Sequence, residues 1–321
     1  MDKKVMIVVI LVLLSVLVTS VILWVKCDTD NIAQSTNEMI WEKELDGAAV
    51  ANVIYDIAEI TVKEARAIGI KNLEGKKDTD VIKVKYPKVV FIKDEKITDY
   101  DEIISIKFLD IKGNIKKELF RVSDKYVNID KTKKYICLTG YTGDESGLLV
   151  YLSSIFDTNG NLLRTIKHPY SYVYVSPNGK YVIGSDAEYP DEPIGIYDEK
   201  GLIKEIEKTG PGWKRDFSKD GTWFGVTVEM VDYELLQRAT TPEERYKTRT
   251  AHLIIFDDKG NELWRKENIA QGDAVNCLIK ILDDNKVIVM TGDYKIYTFN
   301  EAGDLIKVEQ GDLEQYRRFY E

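Results

Sequence analysis

The chain has 321 residues and a formal net charge of −9, with 44% apolar, 10% aromatic and 31% charged residues. That composition supports a packed core and excludes a disordered, collagen-like or disulfide-stapled chain. The acidic balance argues against a nucleic-acid binder, three cysteines are too few for a disulfide framework, and only His168 and His252 offer an imidazole.

Val5 to Val25 is apolar except for Ser15, Thr19 and Ser20. It has the length of about 20 residues that a helix needs to cross a bilayer core, and it carries no polar stripe. Trp24 stands at its far end, at headgroup level. The competing reading is a cleaved secretory signal, but Val18-Thr19-Ser20 is a poor cleavage site and the apolar run continues past it. Lys26 before Cys27 does not fit a lipoprotein signal, which leaves Cys27 as a free thiol. Lys3 and Lys4 outweigh Asp2 before the span, whereas Lys26 is followed by Asp28 and Asp30. The expected orientation is therefore a cytoplasmic N-terminus with the rest of the chain extracytoplasmic, a single-pass protein of the cell membrane. Residues 1–27 form the stub and anchor. Residues 28–39 are polar, lack periodicity and read as a linker.

From residue 40 the chain repeats. An apolar or aromatic residue, Asp or Asn, two variable residues and Gly recur in Leu109-Asp110-Ile111-Lys112-Gly113 and Phe156-Asp157-Thr158-Asn159-Gly160. The unit returns at Tyr197 to Gly201, Phe256 to Gly260 and Phe299 to Gly303. Each copy lies between short runs rich in Ile, Val, Leu and Tyr. Asp opens a turn and Gly accepts positive φ, which is hairpin chemistry. A second turn interleaves, Ser176-Pro177-Asn178-Gly179-Lys180 and Ser218-Lys219-Asp220-Gly221-Thr222, with glycine-free versions at Asp130 to Lys134 and Leu282 to Lys286. Each period thus reads as four short antiparallel strands, the pattern of a β-propeller blade. One blade is expected at 172–175, 181–184, 194–197 and 202–206.

The Ser-Pro-Asn-Gly-Lys turn followed by a Tyr-Asp-x-x-Gly hairpin resembles the WD-repeat-like and TolB-type propeller repeats. In those families the equivalent turn joins the two inner strands of a blade. The resemblance runs over roughly 100–310 and is densest at 172–206 and 216–227. No copy carries the Trp-Asp dipeptide of true WD repeats. The resemblance implies an all-β propeller domain over 40–321 and implies no activity.

Five hairpin copies give five blades between Val81 and Gln310, and residues 40–80 leave room for a sixth. Ile40-Trp41-Glu42-Lys43-Glu44 resembles the outer strand Leu263-Trp264-Arg265-Lys266-Glu267. Residues 49–70 mix helical spacing with β-branched residues. The expectation is six blades, with five or seven as alternatives.

The interval between Gly201 and Gly260 exceeds the others and holds an insertion at 229–250. Thr241-Pro242-Glu243-Glu244 is a helix start, with Thr as N-cap and Pro at the first position. The insertion carries Tyr233, Arg238, Arg245, Tyr246 and Arg249, residue types that anchor interfaces, and these are the expected partner-binding residues. The other reading is a passive surface excursion.

No nucleophile elbow, P-loop or dinucleotide fingerprint occurs; Gly143-Asp144-Glu145-Ser146-Gly147 has the wrong spacing. His168 and His252 lack neighbouring ligands, and Cys137 and Cys277 lie in apolar runs, so all four read as structural. Asp157-Thr158-Asn159-Gly160-Asn161 half resembles a calcium loop but is explained by its hairpin. Ser218 to Trp223 misses the sialidase Asp-box spacing. Tyr316-Arg317-Arg318-Phe319-Tyr320 reads as a rim-packing tail. The expected function is a membrane-anchored, extracytoplasmic binding or scaffolding module for a protein or glycan partner, without cofactor, metal or nucleic acid. The alternative is a cell-envelope propeller enzyme of glycan hydrolase or lyase type.

Overall fold

The computed structural model describes residues 49–70, 73–93, 104–121, 127–143, 149–185, 192–210 and 212–320. The expected anchor at Val5–Val25, the linker and the Ile40–Glu44 strand lie outside the described residues. Among the described residues no helix is long and apolar enough to cross a membrane. The chain divides into two units, Met1–Val122 and Ser123–Glu321.

The first unit holds one four-stranded antiparallel sheet in chain order, β1 (Ala49–Thr61), β2 (Val81–Lys93), β3 (Ile104–Leu109) and β4 (Ile115–Arg121). β1 corrects the reading of 40–80 as the remainder from which a sixth blade would be built. Its residues pair with β2 from Ala49↔Lys93 to Thr61↔Val81, so they complete the first sheet. From Tyr55 to Ile60 exposed residues alternate with less exposed ones, the period of a strand. The helical spacing reaches only α1 (Val62–Ala67), opened by a capping box in which Thr61 Oγ1 accepts from Glu64 N. Val62 and Ala65 of this short helix pack with Ile70, Leu73 and Val84.

The second unit contains four further sheets, each a meander of four consecutive strands. The first is β5 (Val127–Ile129), β6 (Tyr135–Gly143), β7 (Leu149–Asp157) and β8 (Leu162–His168). The second is β9 (Val173–Val175), β10 (Val182–Gly184), β11 (Ile194–Asp198) and β12 (Gly201–Ile206), within a residue or so of the expected blade. The third is β13 (Trp213–Phe217), β14 (Trp223–Val231), β15 (Arg249–Asp257) and β16 (Glu262–Gln271). The last is β17 (Leu278–Ile281), β18 (Val287–Met290), β19 (Lys295–Phe299) and β20 (Leu305–Gln310). Among the described residues the fold is all-β, with five sheets of propeller-blade topology rather than six.

Neighbouring sheets of the second unit pack face to face. Tyr181, Ile183, Ile194 and Ile196 of the second sheet meet Phe217, Phe224, Val226 and Phe256 of the third in one buried cluster. Leu253, Ile255 and Trp223 of the third meet Ile279, Ile281, Val287 and Val289 of the fourth. The inner strands β10 and β14 are thus buried on both faces of their blades, β14 continuously from Trp223 to Glu229.

Both turn families form as their residues require. The five hairpin glycines Gly113, Gly160, Gly201, Gly260 and Gly303 have positive φ. The carboxylate of Asp157 accepts from Asn159 N at 2.8 Å, Asn161 N at 2.9 Å and Asn161 Nδ2 at 2.9 Å. Burial would raise its pKa, but the Asn161 and Asn159 donors outweigh this and hold it below the ordinary carboxylate value. Asp157 is therefore a turn residue, and among the described residues no acidic, His or Cys cluster forms a metal site. In the inner turns Gly179 and Gly221 have positive φ, and the glycine-free versions keep the same shape: Lys133 has φ 58° and Asn285 has φ 62°. Around Lys133 the buried Asp130 compensates by accepting from Thr132 N, Lys134 N and Tyr135 N.

A Cβ on Gly260 would also stand 2.8 Å from Lys204 Cβ. Gly260→Val is expected to lower stability by about 1–3 kcal/mol. Lys259→Ala, in the same turn, should change little, and Lys133→Gly should raise stability by about 1 kcal/mol by relieving left-handed strain. Urea denaturation midpoints of the three variants check this.

Candidate partner-binding face

The insertion sits in the hairpin between β14 and β15. Its ends are strand: Glu229↔Ala251, Met230↔Thr250 and Val231↔Arg249 extend the ladder. Between them lie α2 (Tyr233–Arg238) and α3 (Pro242–Lys247). Thr241 caps α3 as the sequence requires, in a full capping box with Glu244 and with Pro242 in the first turn. α2 is capped by Asp232, whose carboxylate accepts from Leu235 N at 2.9 Å. Neither helix buries a residue. A few contacts fasten the pair to the blade: Tyr233 Oη donates to Thr209 O at 2.8 Å, and Gln271 Nε2 donates to Lys247 O at 3.0 Å.

Of the five expected partner-binding residues, Tyr233, Arg238, Arg245 and Tyr246 stand exposed on these helices. Arg249 is separated from them. It belongs to β15, and its Nε donates to Glu229 Oε1 at 2.6 Å. The Glu229 side chain is 5% exposed and that of Arg249 37%. The hydrogen bond that Arg249 donates to Glu229 raises the Arg249 pKa further, as expected for a cation held by a buried anion. Arg249 is thus the counter-ion of a buried carboxylate.

Beside this pair lies a cavity of about 290 Å³ lined by Trp213, Thr227, Glu229, Arg249, Asn276 and Cys277, among others. Glu229 fills the space above two glycines: a Cβ on Gly210 would stand 2.6 Å from its Cγ, and one on Gly212 2.7 Å from its Oε2. Thr227 Oγ1 donates to Cys277 O at 3.0 Å. Burial, with a smaller contribution from Asp293, pushes the Cys277 thiol up to about 12, so it is a packing group and no nucleophile. The tail residues form part of α4 (Leu313–Tyr320), and Tyr316 Oη donates to Asn276 O at 3.1 Å. The sequence offered no sign of Glu229, whose importance lies in burial beside two glycines some twenty residues upstream.

The two histidines are strand residues. His168 is 3% exposed and approaches Ser153 Oγ through Nε2 at 2.7 Å. This is not a nucleophile pair. Tyr170 N donates to His168 Nδ1 at 3.3 Å, so Nε2 holds the proton and donates to the serine. Ser153 Oγ also lies 2.8 Å from Thr139 Oγ1, and all three side chains are buried. Burial pushes the His168 pKa down to about 4. His252 is half-buried in β15, and burial lowers its pKa too.

No protein-family model matches this chain, and no curated protein matches it in sequence. Solved structures are similar in strand layout. Hydrazine synthase from Kuenenia stuttgartiensis is 14% identical over 70% of this chain and 68% of that one, with a TM-score of 0.43. BamB from Moraxella catarrhalis is 12% identical over 70% and 71%, with a TM-score of 0.33. The β-propeller domain of the trilobed protease from Pyrococcus furiosus is 13% identical over 68% and 67%, with a TM-score of 0.38. The propeller description rests on the chain's own blades, and no site residue carries over from these proteins.

Arg249→Met should cost about 1–3 kcal/mol by leaving Glu229 buried without its cation, with Glu229→Gln restoring part of the loss. A double-mutant cycle in urea measures the coupling. The native state holds His168 neutral down to about pH 4, whereas an unfolded histidine takes up a proton near pH 6.5. Its contribution is complete above pH 6.5 and falls away as the pH drops towards 4, by about 3 kcal/mol. His168→Gln should remove that slope from stability measured between pH 7 and 4.

Proposed function

We propose that this chain is a membrane-anchored propeller protein whose extracytoplasmic blades bind and position a protein partner. The observation that carries the reading is the two-helix insertion. The blade does not need it to pair its strands, and both helices leave every side chain at least partly exposed. Tyr233, Leu235 and Tyr246 are 41%, 52% and 45% exposed, and Arg238 and Arg245 stand among them. Aromatic and arginine side chains on a projecting element are the composition of an interface anchor. The anchor at Val5–Val25 and the lysines before it support attachment to the membrane with the blades outside the cytoplasm.

Replacing Tyr233 to Lys247 by a short Gly-Ser linker, with Arg249 kept, should leave thermal stability within a few degrees. The same change should remove the partner that crosslinks to the full-length protein in intact cells. Retention of that partner at wild-type yield would place binding elsewhere. Alkaline carbonate washing should leave the full-length chain in the membrane pellet, and protease added outside the cytoplasm should digest the blades.

A further inference from the structure

The four innermost strands of the second unit can be compared position by position, because each ends in the same turn. Ile129, Val175, Phe217 and Ile281 pair with Ile136, Val182, Phe224 and Val287 at corresponding places in the four ladders. Two residues earlier stand Val127, Val173, Arg215 and Ile279. Three blades thus place an aliphatic side chain there, with Val173 6% and Ile279 7% exposed. The third sheet places an arginine.

Arg215 faces the second sheet. Its guanidinium carbon lies 3.1 Å from the centroid of the Tyr174 ring, and Tyr174 meets Trp213 edge-on at 5.9 Å. The ring covers one face of the guanidinium and accepts none of its in-plane N–H donors, which need acceptors at the edge. Nε is closed off from solvent and has no hydrogen-bond partner. The neighbouring Asp216 is on the opposite face of the strand, where its carboxylate accepts from Lys131 Nζ and Ile281 N. A half-buried guanidinium that has its Nε cut off from solvent and no carboxylate hydrogen-bonded to it is costly where Val or Ile would pack without penalty.

We infer that Arg215 is the recognition group of an oxyanion site between β9 and β13, taking a carboxylate or phosphoryl group against the guanidinium edge while Tyr174 backs its face. Arginine suits this role because two parallel N–H donors match two oxygens of either group. The site is separate from the helical insertion, and its occupant is a small anion or an anionic group on a larger ligand.

The test uses the purified full-length chain in detergent and follows thermal unfolding with about 20 mM sodium phosphate, sodium glutarate or sodium chloride at matched ionic strength. Phosphate or glutarate should raise the Tm by a few degrees over chloride. A response to phosphate alone identifies a phosphoryl ligand, to glutarate alone a carboxylate, and to both a site reading the shared oxygen pair; each supports the inference. Without anion, Arg215→Met should unfold at the wild-type temperature or above, because it restores the blade pattern, and its anion response should vanish. Arg215→Lys should keep a weaker response. The inference is overturned if the wild-type protein responds to neither anion, or if Arg215→Met responds as wild type does. It is also overturned if Arg215→Met fails to fold or unfolds earlier in chloride, for then the arginine serves the structure.

Discussion

The four-sheet unit depends on one ammonium group. Lys131, in the turn between β5 and β6, donates to Asp216 Oδ2 at 2.9 Å, Phe217 O at 2.9 Å and Ile281 O at 2.5 Å. An ammonium has three protons, and all three find acceptors here. These acceptors belong to two other sheets, on the innermost strands β13 and β17. Asp216 closes the arrangement by accepting from Ile281 N at 2.6 Å. Apolar packing between neighbouring blades is non-directional and would tolerate small slips. A charge-assisted, three-way hydrogen-bonded centre does not, so it fixes how the inner strands of three sheets lie against one another.

With the inner ends held, variation is pushed outward along each blade. The second and third strands of the third sheet run on past their counterparts in the second and fourth, and the insertion rides on that extension. Glu229 and Arg249 stand where the ladder leaves the core and the helices begin. The buried pair therefore forms the hinge post of the projecting element. Changes in the helices can accumulate without disturbing the blade, whereas changes at the post cannot.

Much of this was legible in the sequence because turns are local. Asp110, Asp157 and Asp257 each accept backbone N–H groups two and four residues on, and the glycine of each hairpin must reach positive φ, so both leave a fixed spacing. Even the glycine-free turns were readable through their flanking strands. The first sheet was less so. The residues of β1 pair across an excursion of some twenty residues containing α1, and two bulges break the alternation that would have marked a strand. The first insertion helix was hidden because Asp232 caps it without the first-turn Pro and the capping-box Glu that mark α3. The pairing of Arg249 with Glu229 was not legible, because a sequence does not show which carboxylate is buried opposite. Arg215 becomes visible only once the ladders align the inner strands, when its departure from Val and Ile stands out against three internal copies.

Every sheet is built from one uninterrupted stretch of chain, and none borrows a strand from elsewhere among the described residues. This has a consequence for biogenesis. A chain made from its N-terminus onward can close each meander as soon as its fourth strand emerges, with only short-range pairing required. The contacts that Lys131 makes run the other way: its bond to Ile281 O spans 150 residues. Until β17 appears, the lysine has only its two acceptors on β13, and the three-way centre is incomplete. Assembly is thus sequential in its parts and late in its locking, and the interval between the two is when a half-made unit offers its bare blade faces to whatever holds nascent chains apart.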